Sequence, residues 1–474
     1  MGDDLQRAID EYLEDNWEDV VADIASLVEI ASVEDLAAAV PGAPYGPGPR
    51  AALDCALEMA KRFGLDVHDC EGHIGYADLV GQSATQIGII GHTDVVPAGP
   101  GWHFEPHKVT RKDGYLIGRG VIDDKGPLVT ALHAVKFWHD RGEILPYTVR
   151  VLFGANEETN MKDVAYYRSH YEDPAFLFTP DAEFPVCYGE AGICSGTLES
   201  APISNGIVKE LQGGVAVNAV PGEARAVLAY DGIQLDDLPS ALPGITILET
   251  TRESCCPAIT VHAQGKSAHA STPEKGVNAI NVLVQYLLAI DGLTADERRF
   301  FELVRRVTSC YDGSTLGVQA HDEHFGDLTA VGGMISLAEE RVRLSIDFRY
   351  PTTTTSSQIE QAVNAAAAEF GAKFTMEHDK VPFLMDSSSP TVQAMLSAYN
   401  EATGEQAEPF TMKGGSYARM FTTGACFGPE KPWEPKPDWV GSMHGPDEGV
   451  REDLLKQAFA IYVRTIGKLM ELKL

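Results

Sequence analysis

The stretch Gln86-Ile87-Gly88-Ile89-Ile90-Gly91-His92-Thr93-Asp94 decides the fold: a short apolar run that reads as a buried strand and delivers His92 at its end. Residues 149–153, Val-Arg-Val-Leu-Phe, form a second such run, leading to Glu157 and Glu158. Residues 175–178 form a third, leading to Asp181. Between the first two, residues 127–140 have helical spacing with proline in the first turn. Strands alternating with helices imply an open α/β sheet, whose ligands gather at the carboxyl ends of the strands.

Working outward, residues 5–31 carry apolar side chains at helical spacing (Leu5, Ile9, Leu13, Val20, Val21, Ile24, Leu27, Val28). Residues 41–49 are rich in Gly and Pro and read as a surface loop, and 51–63 are helical again. The pattern changes after about residue 194. Residues 215–217, 224–228, 258–263 and 342–348 look like antiparallel strands, with helices at 276–291 and 357–370. Near residue 384 the chain returns to the first domain, because His444 must reach the other candidate ligands. The expected organisation is a catalytic domain of residues 1–193 plus 384–474, with an α+β domain, residues 194–383, inserted in it.

A chain of 474 residues is too long for one ordinary core. Hydrophobic residues make up 44% and charged residues 22%, a globular composition. With 37 Lys and Arg against 69 Asp and Glu, the formal charge of -32 argues against a nucleic-acid partner and against an anionic membrane surface. No apolar run approaches the roughly 20 residues of a membrane helix. Met1-Gly2-Asp3-Asp4 opens no secretory signal. None of the 8 cysteines has C-x-x-C spacing, and the adjacent Cys255 and Cys256 are poorly placed for an ordinary disulfide. Free thiols in a reducing cytoplasm are expected.

The chemistry-bearing residues fall in five islands: Gly91-His92-Thr93-Asp94, Gly120-Val121-Ile122-Asp123-Asp124-Lys125-Gly126, Asn156-Glu157-Glu158-Thr159, Pro180-Asp181-Ala182-Glu183 and Met443-His444-Gly445. At an extended strand end His92 and Asp94 face the same way, so the carboxylate can hold the imidazole in one tautomer. Adjacent Asp123 and Asp124, after an apolar pair in a glycine-framed turn, are costly unless a cation neutralises them. Glu157 and Glu158 diverge in a regular strand, so irregular backbone is needed for both to serve one site. One as metal ligand and one as general base is a natural division. Taken singly, each island has a bland reading as a solvated turn or a buried histidine with a local hydrogen bond. Together His, Asp and Glu suit zinc-like ions, and two ions sharing a carboxylate need about this many ligands. The residues point to a hydrolase with two metal ions.

In this order these stretches resemble the dinuclear zinc peptidase family that includes carnosinase, aminoacylase, carboxypeptidase G and succinyl-diaminopimelate desuccinylase. Gly99-Pro100-Gly101-Trp102, Glu157-Glu158-Thr159-Asn160, Val217-Asn218-Ala219-Val220-Pro221 and Lys413-Gly414-Gly415-Ser416-Tyr417-Ala418-Arg419 look most like its bacterial dipeptidase V type. The resemblance implies a zinc-exopeptidase-like open α/β catalytic domain with the inserted domain as a lid. It implies that Asp123 bridges two divalent ions, Zn2+ first with Mn2+ or Co2+ as alternatives. His92 and Asp181 complete one metal site, Glu158 and His444 the other. Asp94 orients His92, Glu157 is the general base, and a cis peptide joins Asp123 to Asp124. His269, in Lys266-Ser267-Ala268-His269-Ala270-Ser271, matches the lid histidine that hydrogen-bonds the developing oxyanion. Asn218 and Arg349 match substrate-contacting positions, and Gly414, Gly415 and Ser416 offer backbone N–H groups to the same end of the substrate. The implied activity is hydrolysis of unblocked dipeptides, including β-Ala-His and other Xaa-His, by a zinc-activated water. An N-acyl-amino-acid amidohydrolase or carboxypeptidase on the same metals is the alternative, and a non-catalytic binding protein on the peptidase fold is a third reading. The resemblance to the dipeptidase V type, in which an enlarged lid substitutes for a partner subunit, implies a monomer.

Overall fold

The computed structural model describes residues 2–229, 238–240, 242–251 and 257–474. Two compact units emerge: Met1–Gly189 with Leu384–Phe410 and Gly415–Leu474, and Glu190–Phe383 with Thr411–Gly414. Cys255 and Cys256 lie outside the described residues, and none of the described cysteines is in a disulfide.

In the first unit Ser83–His92 pairs in parallel with Tyr147–Gly154 on one side and Phe176–Thr179 on the other. Gly424–Cys426 continues the parallel set beside Phe176–Thr179. Alternate residues of these strands enter different cores. Ile87, Ile89, Val149, Val151, Phe153, Phe176 and Phe178 pack among the helices Gly2–Val28, Pro47–Arg62, Lys125–Asp140, Pro390–Thr403 and Glu452–Met470. Ile90, Leu152 and Leu177 pack on the other face with Val164, Tyr167, Tyr417 and Phe421. Covered on both faces, the strands are continuous apolar runs rather than alternating ones. His92 is level with Gly154, and Cys426 with Thr179, so the turns that follow start from one edge of the sheet.

Helix boundaries in this unit differ from the sequence reading. The helix Lys125–Asp140 begins directly after Asp124 rather than at Pro127. The supposed loop at 41–49 ends in the first turn of Pro47–Arg62, where proline at the start of a helix forfeits no hydrogen bond, and Pro49 is buried.

The second unit is an antiparallel sheet in the order Ile245–Thr251, Pro257–Gln264, Glu223–Ala229, Val208–Gly213, Thr329–Ala338, Arg341–Tyr350, Gly192–Glu199, Lys373–Lys380. Its core is closed by the helices Ala279–Leu288, Ala295–Thr308 and Ser356–Ala368. The fold is therefore α/β in one unit and α+β in the other. Residues 215–217 are not a strand: Val208–Gly213 ends as Gly214 takes φ 75°, and Val215 is left 96% exposed. The helix expected at 276–291 is the shorter Ala279–Leu288, started by Asn278, whose side chain accepts the N–H groups of Ile280 and Asn281.

Candidate metal centre

His92 ends its strand fully buried. Its Nδ1 lies 2.9 Å from the carbonyl oxygen of Asp94. A carbonyl only accepts, so Nδ1–H donates and the neutral ring turns a bare Nε2 inward. That nitrogen is 3.0 Å from Asp123 Oδ1 and 3.7 Å from Asp181 Oδ2. On the other side of Asp123, His444 Nε2 lies 2.9 Å from Oδ2 and 3.0 Å from Glu158 Oε2. Asp123 thus turns one oxygen to each histidine. Ligand-type atoms of His92, Asp123 and Asp181 lie within 4.8 Å of one another, as do those of Asp123, Glu158 and His444.

These residues fit divalent cations. A lone pair facing carboxylate oxygens is repulsive unless a proton or a cation lies between them. Glu158 Oε1 is buried without a hydrogen-bond partner among the described residues. Burial, together with the charge of Asp123, pushes Asp181 up to about 7. Burial works against a charged His444, yet Asp123 and Glu158 beside it raise the imidazole to about 11. Burial likewise opposes charge on His92, and Asp123, Asp181 and Asp94 override it, raising the ring well above its ordinary range. The pocket favours positive charge at both Nε2 positions, of the kind a metal ion would supply.

Local folding delivers each group. The Asp123–Asp124 peptide is cis. Asp124 Oδ2 accepts the His92 N–H at 3.1 Å. A Cβ at Gly91 would lie 2.3 Å from that oxygen, so only glycine fits there. Asp94 does hold His92, but through its carbonyl, and its Oδ1 stays 3.6 Å from Nδ1. The strand stops at His92, so the same-face rule no longer applies. The Asp94 carboxylate instead accepts the N–H groups of Glu157 and Glu158, each at 3.2 Å, and fixes the irregular turn that sequence reasoning required. Asp163 secures the same turn: its Oδ2 accepts Ala155 N–H at 2.8 Å and Asn156 N–H at 3.0 Å, and the Tyr417 hydroxyl donates to it as well. The sequence pattern assigns no role to Asp163 or Tyr417, although Tyr417 lies within Lys413–Arg419. A lone buried acid in a helix has no signal of its own.

The remaining candidates divide between the units. Asn218 and His269 lie close together in the second unit, where Ala219–Val220 pairs with Ala268–His269 and Ala270 N–H donates to the Asn218 carbonyl at 2.9 Å. Ser271 N–H donates to His269 Nδ1 at 3.2 Å, which puts the proton of the neutral ring on Nε2. Arg349 is buried with Nε and Nη2 on Asp347, at 2.7 and 3.1 Å, and Nη1 donating to the Lys413 carbonyl at 3.1 Å. Gly414 belongs to the second unit and Gly415 and Ser416 to the first. Ser416 caps the turn Tyr417–Met420, accepting Ala418 N–H.

Residues 88–468 match the model of Peptidase family M20/M25/M40, and the chain belongs to that family. It is a metallopeptidase. A Staphylococcus epidermidis protein named "Putative dipeptidase" is 31% identical over 466 residues, covering 94% of this chain and 96% of that protein. "Putative dipeptidase YtjP" of Bacillus subtilis is 31% identical over 467 residues, covering 95% and 97%. Among solved structures, the di-peptidase Dug1p of Saccharomyces cerevisiae superposes with a TM-score of 0.62 at 13% identity over 100% of both chains. Human carnosine dipeptidase 1 gives 0.57 at 14% identity over 99% of this chain and 100% of that one. At such identities these likenesses show the fold alone.

Proposed function

We propose that the protein hydrolyses unblocked dipeptides with two divalent ions, one held by His92, Asp123 and Asp181 and the other by Asp123, Glu158 and His444. The observation that carries this reading is the division of the Asp123 carboxylate, Oδ1 toward His92 and Oδ2 toward His444. The names of the two bacterial relatives support dipeptides as the substrate class. When bound, such ions, Zn2+ first and Mn2+ or Co2+ as alternatives, supply Lewis acidity to a carbonyl and acidify water at neutral pH.

The chain's own groups do the rest. Glu157 takes the proton of the attacking water and passes it to the leaving amine, and the turn held by Asp94 and Asp163 fixes its backbone. His269, with its proton on Nε2, donates to the carbonyl oxygen as negative charge collects there. Arg349, oriented by Asp347, holds the free carboxylate of the substrate with Asn218 and the N–H groups of Gly414, Gly415 and Ser416. The reading includes a monomer acting in the cytoplasm.

Metal analysis with a panel of free dipeptides, including β-Ala-His, and N-acyl amino acids tests the proposal on the wild type and on Glu157→Ala. Two ions per chain are expected in both, with nearly all turnover of free dipeptides lost in the variant. Hydrolysis of N-acyl amino acids alone would show the substrate class to be wrong.

A further inference from the structure

The loop that carries Asp123 and the loop that carries His444 are tied together by a buried ion pair to which the reaction has so far assigned nothing. Glu448 is 0% exposed and Arg119 1%. Glu448 Oε1 accepts N–H groups from Gly120 at 2.9 Å, Ile122 at 3.2 Å and Asp123 itself at 3.4 Å. Its Oε2 accepts from Arg119 Nη1. Arg119 Nη2 in turn donates to the carbonyl oxygen of His444 at 3.2 Å, with the Ala98 and Pro97 carbonyls at 3.4 and 3.5 Å. The backbone closes the same circuit: Gly118 N–H donates to the Glu448 carbonyl at 2.9 Å, and Gly441 N–H to that of Asp447 at 2.7 Å.

We propose that Glu448 and Arg119 are positioning residues that set the separation of Asp123 and His444, and with it the metal affinity of the centre; the proposal rests on the two-ion reading above. A buried ion pair on its own is weak evidence of stabilisation. Here the bonds have a particular destination: Glu448 grips the turn that ends in the shared carboxylate, and Arg119 grips the main chain of the histidine opposite it. His444 needs such a restraint, because it sits in a loop with φ 62° and its side chain is half exposed. Groups that orient metal ligands from behind typically govern affinity by about 10–100-fold.

The test is a Co2+ titration of the metal-stripped full chain, read by competition with a chromophoric chelator and by the visible ligand-field spectrum. The proteins are the wild type, His444→Ala, Glu448→Gln and Arg119→Lys. Glutamine keeps an acceptor for the backbone N–H groups but turns a donor toward Arg119. Lysine keeps the charge and loses the fork that reaches two partners. Both variants are expected to bind Co2+ about 10–100-fold more weakly with an altered spectrum, while the metal-free proteins stay folded with melting temperatures lowered by the broken buried pair. Wild-type affinity and spectrum in both, while His444→Ala binds weakly, would overturn the positioning role and leave the metal centre standing. A wild type that takes up no Co2+ would overturn the metal reading and this proposal with it. If Glu448→Gln fails to fold, Arg119→Lys decides alone.

Discussion

Replacing Tyr417 by phenylalanine isolates one contact behind the turn that carries Glu157 and Glu158. Tyr417 and Asp163 are both 0% exposed. Asp163 Oδ2 collects three donors, the Ala155 and Asn156 N–H groups and the Tyr417 hydroxyl, while Oδ1 accepts Val164 N–H at 2.7 Å. Phenylalanine keeps the ring, which stands edge-on to His92 with centroids 6.4 Å apart, and deletes only the third donor. A hydrogen bond to a charged group contributes about 1.5–3 kcal/mol. If all of that serves to hold the turn, the loss in kcat is about ten- to a hundredfold, at 1.36 kcal/mol per decade. Steady-state hydrolysis of a dipeptide at saturating divalent metal, with thermal melting in parallel, measures it. The expected result is a kcat lowered within that range, a nearly constant KM and a melting temperature lower by a few degrees, because the turn holds the base rather than the substrate. Wild-type kcat and melting would refute the reasoning and mean that the two backbone donors suffice. Gly154→Ala should do more damage, because its Cβ would lie 2.1 Å from the Tyr417 hydroxyl oxygen.

Three further outcomes are expected. Removing divalent metal with a chelator should lower the melting temperature, and Zn2+ restored at about a thousand times its Kd should return about 4 kcal/mol; identical melting curves would mean that the acidic cluster binds nothing. Burial holds His133 below its ordinary 6.5, with Nε2 on Asp23 and Nδ1 on the Tyr12 hydroxyl, each at 2.9 Å. Its stabilisation is therefore complete above that value and is lost as pH falls toward the folded-state pKa. The wild type should lose melting temperature more steeply than His133→Gln between neutral pH and about pH 5, and parallel profiles would contradict this. Asp347→Asn should loosen Arg349 and raise KM about tenfold for dipeptides with a free carboxylate, leaving C-terminally amidated ones unchanged; equal effects on both would remove Arg349 from carboxylate recognition.

The apolar runs around residues 87–90, 149–153 and 176–178 were legible because strands buried on both faces must be apolar throughout, and the acids just beyond them stand out by contrast. Helix starts were less legible: Asp124 stands at the N-cap of its helix, but its side chain makes no capping hydrogen bond there and accepts the His92 N–H instead. The stretch at 215–217 looked like a strand from its valines, and a positive-φ glycine just before it ended the pairing.

By itself the sequence determined the sheet, the acidic and imidazole residues at its edge and the family they resemble, since burial and charge are written residue by residue. Only the tertiary structure decided how those residues are held. Which oxygen of Asp123 meets which histidine, why Asp94 serves Glu157 and Glu158 with its carboxylate and His92 with its carbonyl, and that Glu448 and Asp163 stand behind the ligands all depend on contacts between distant segments. Such contacts leave no local pattern, because a buried carboxylate chooses its partners by geometry that arises only once the chain has closed around it.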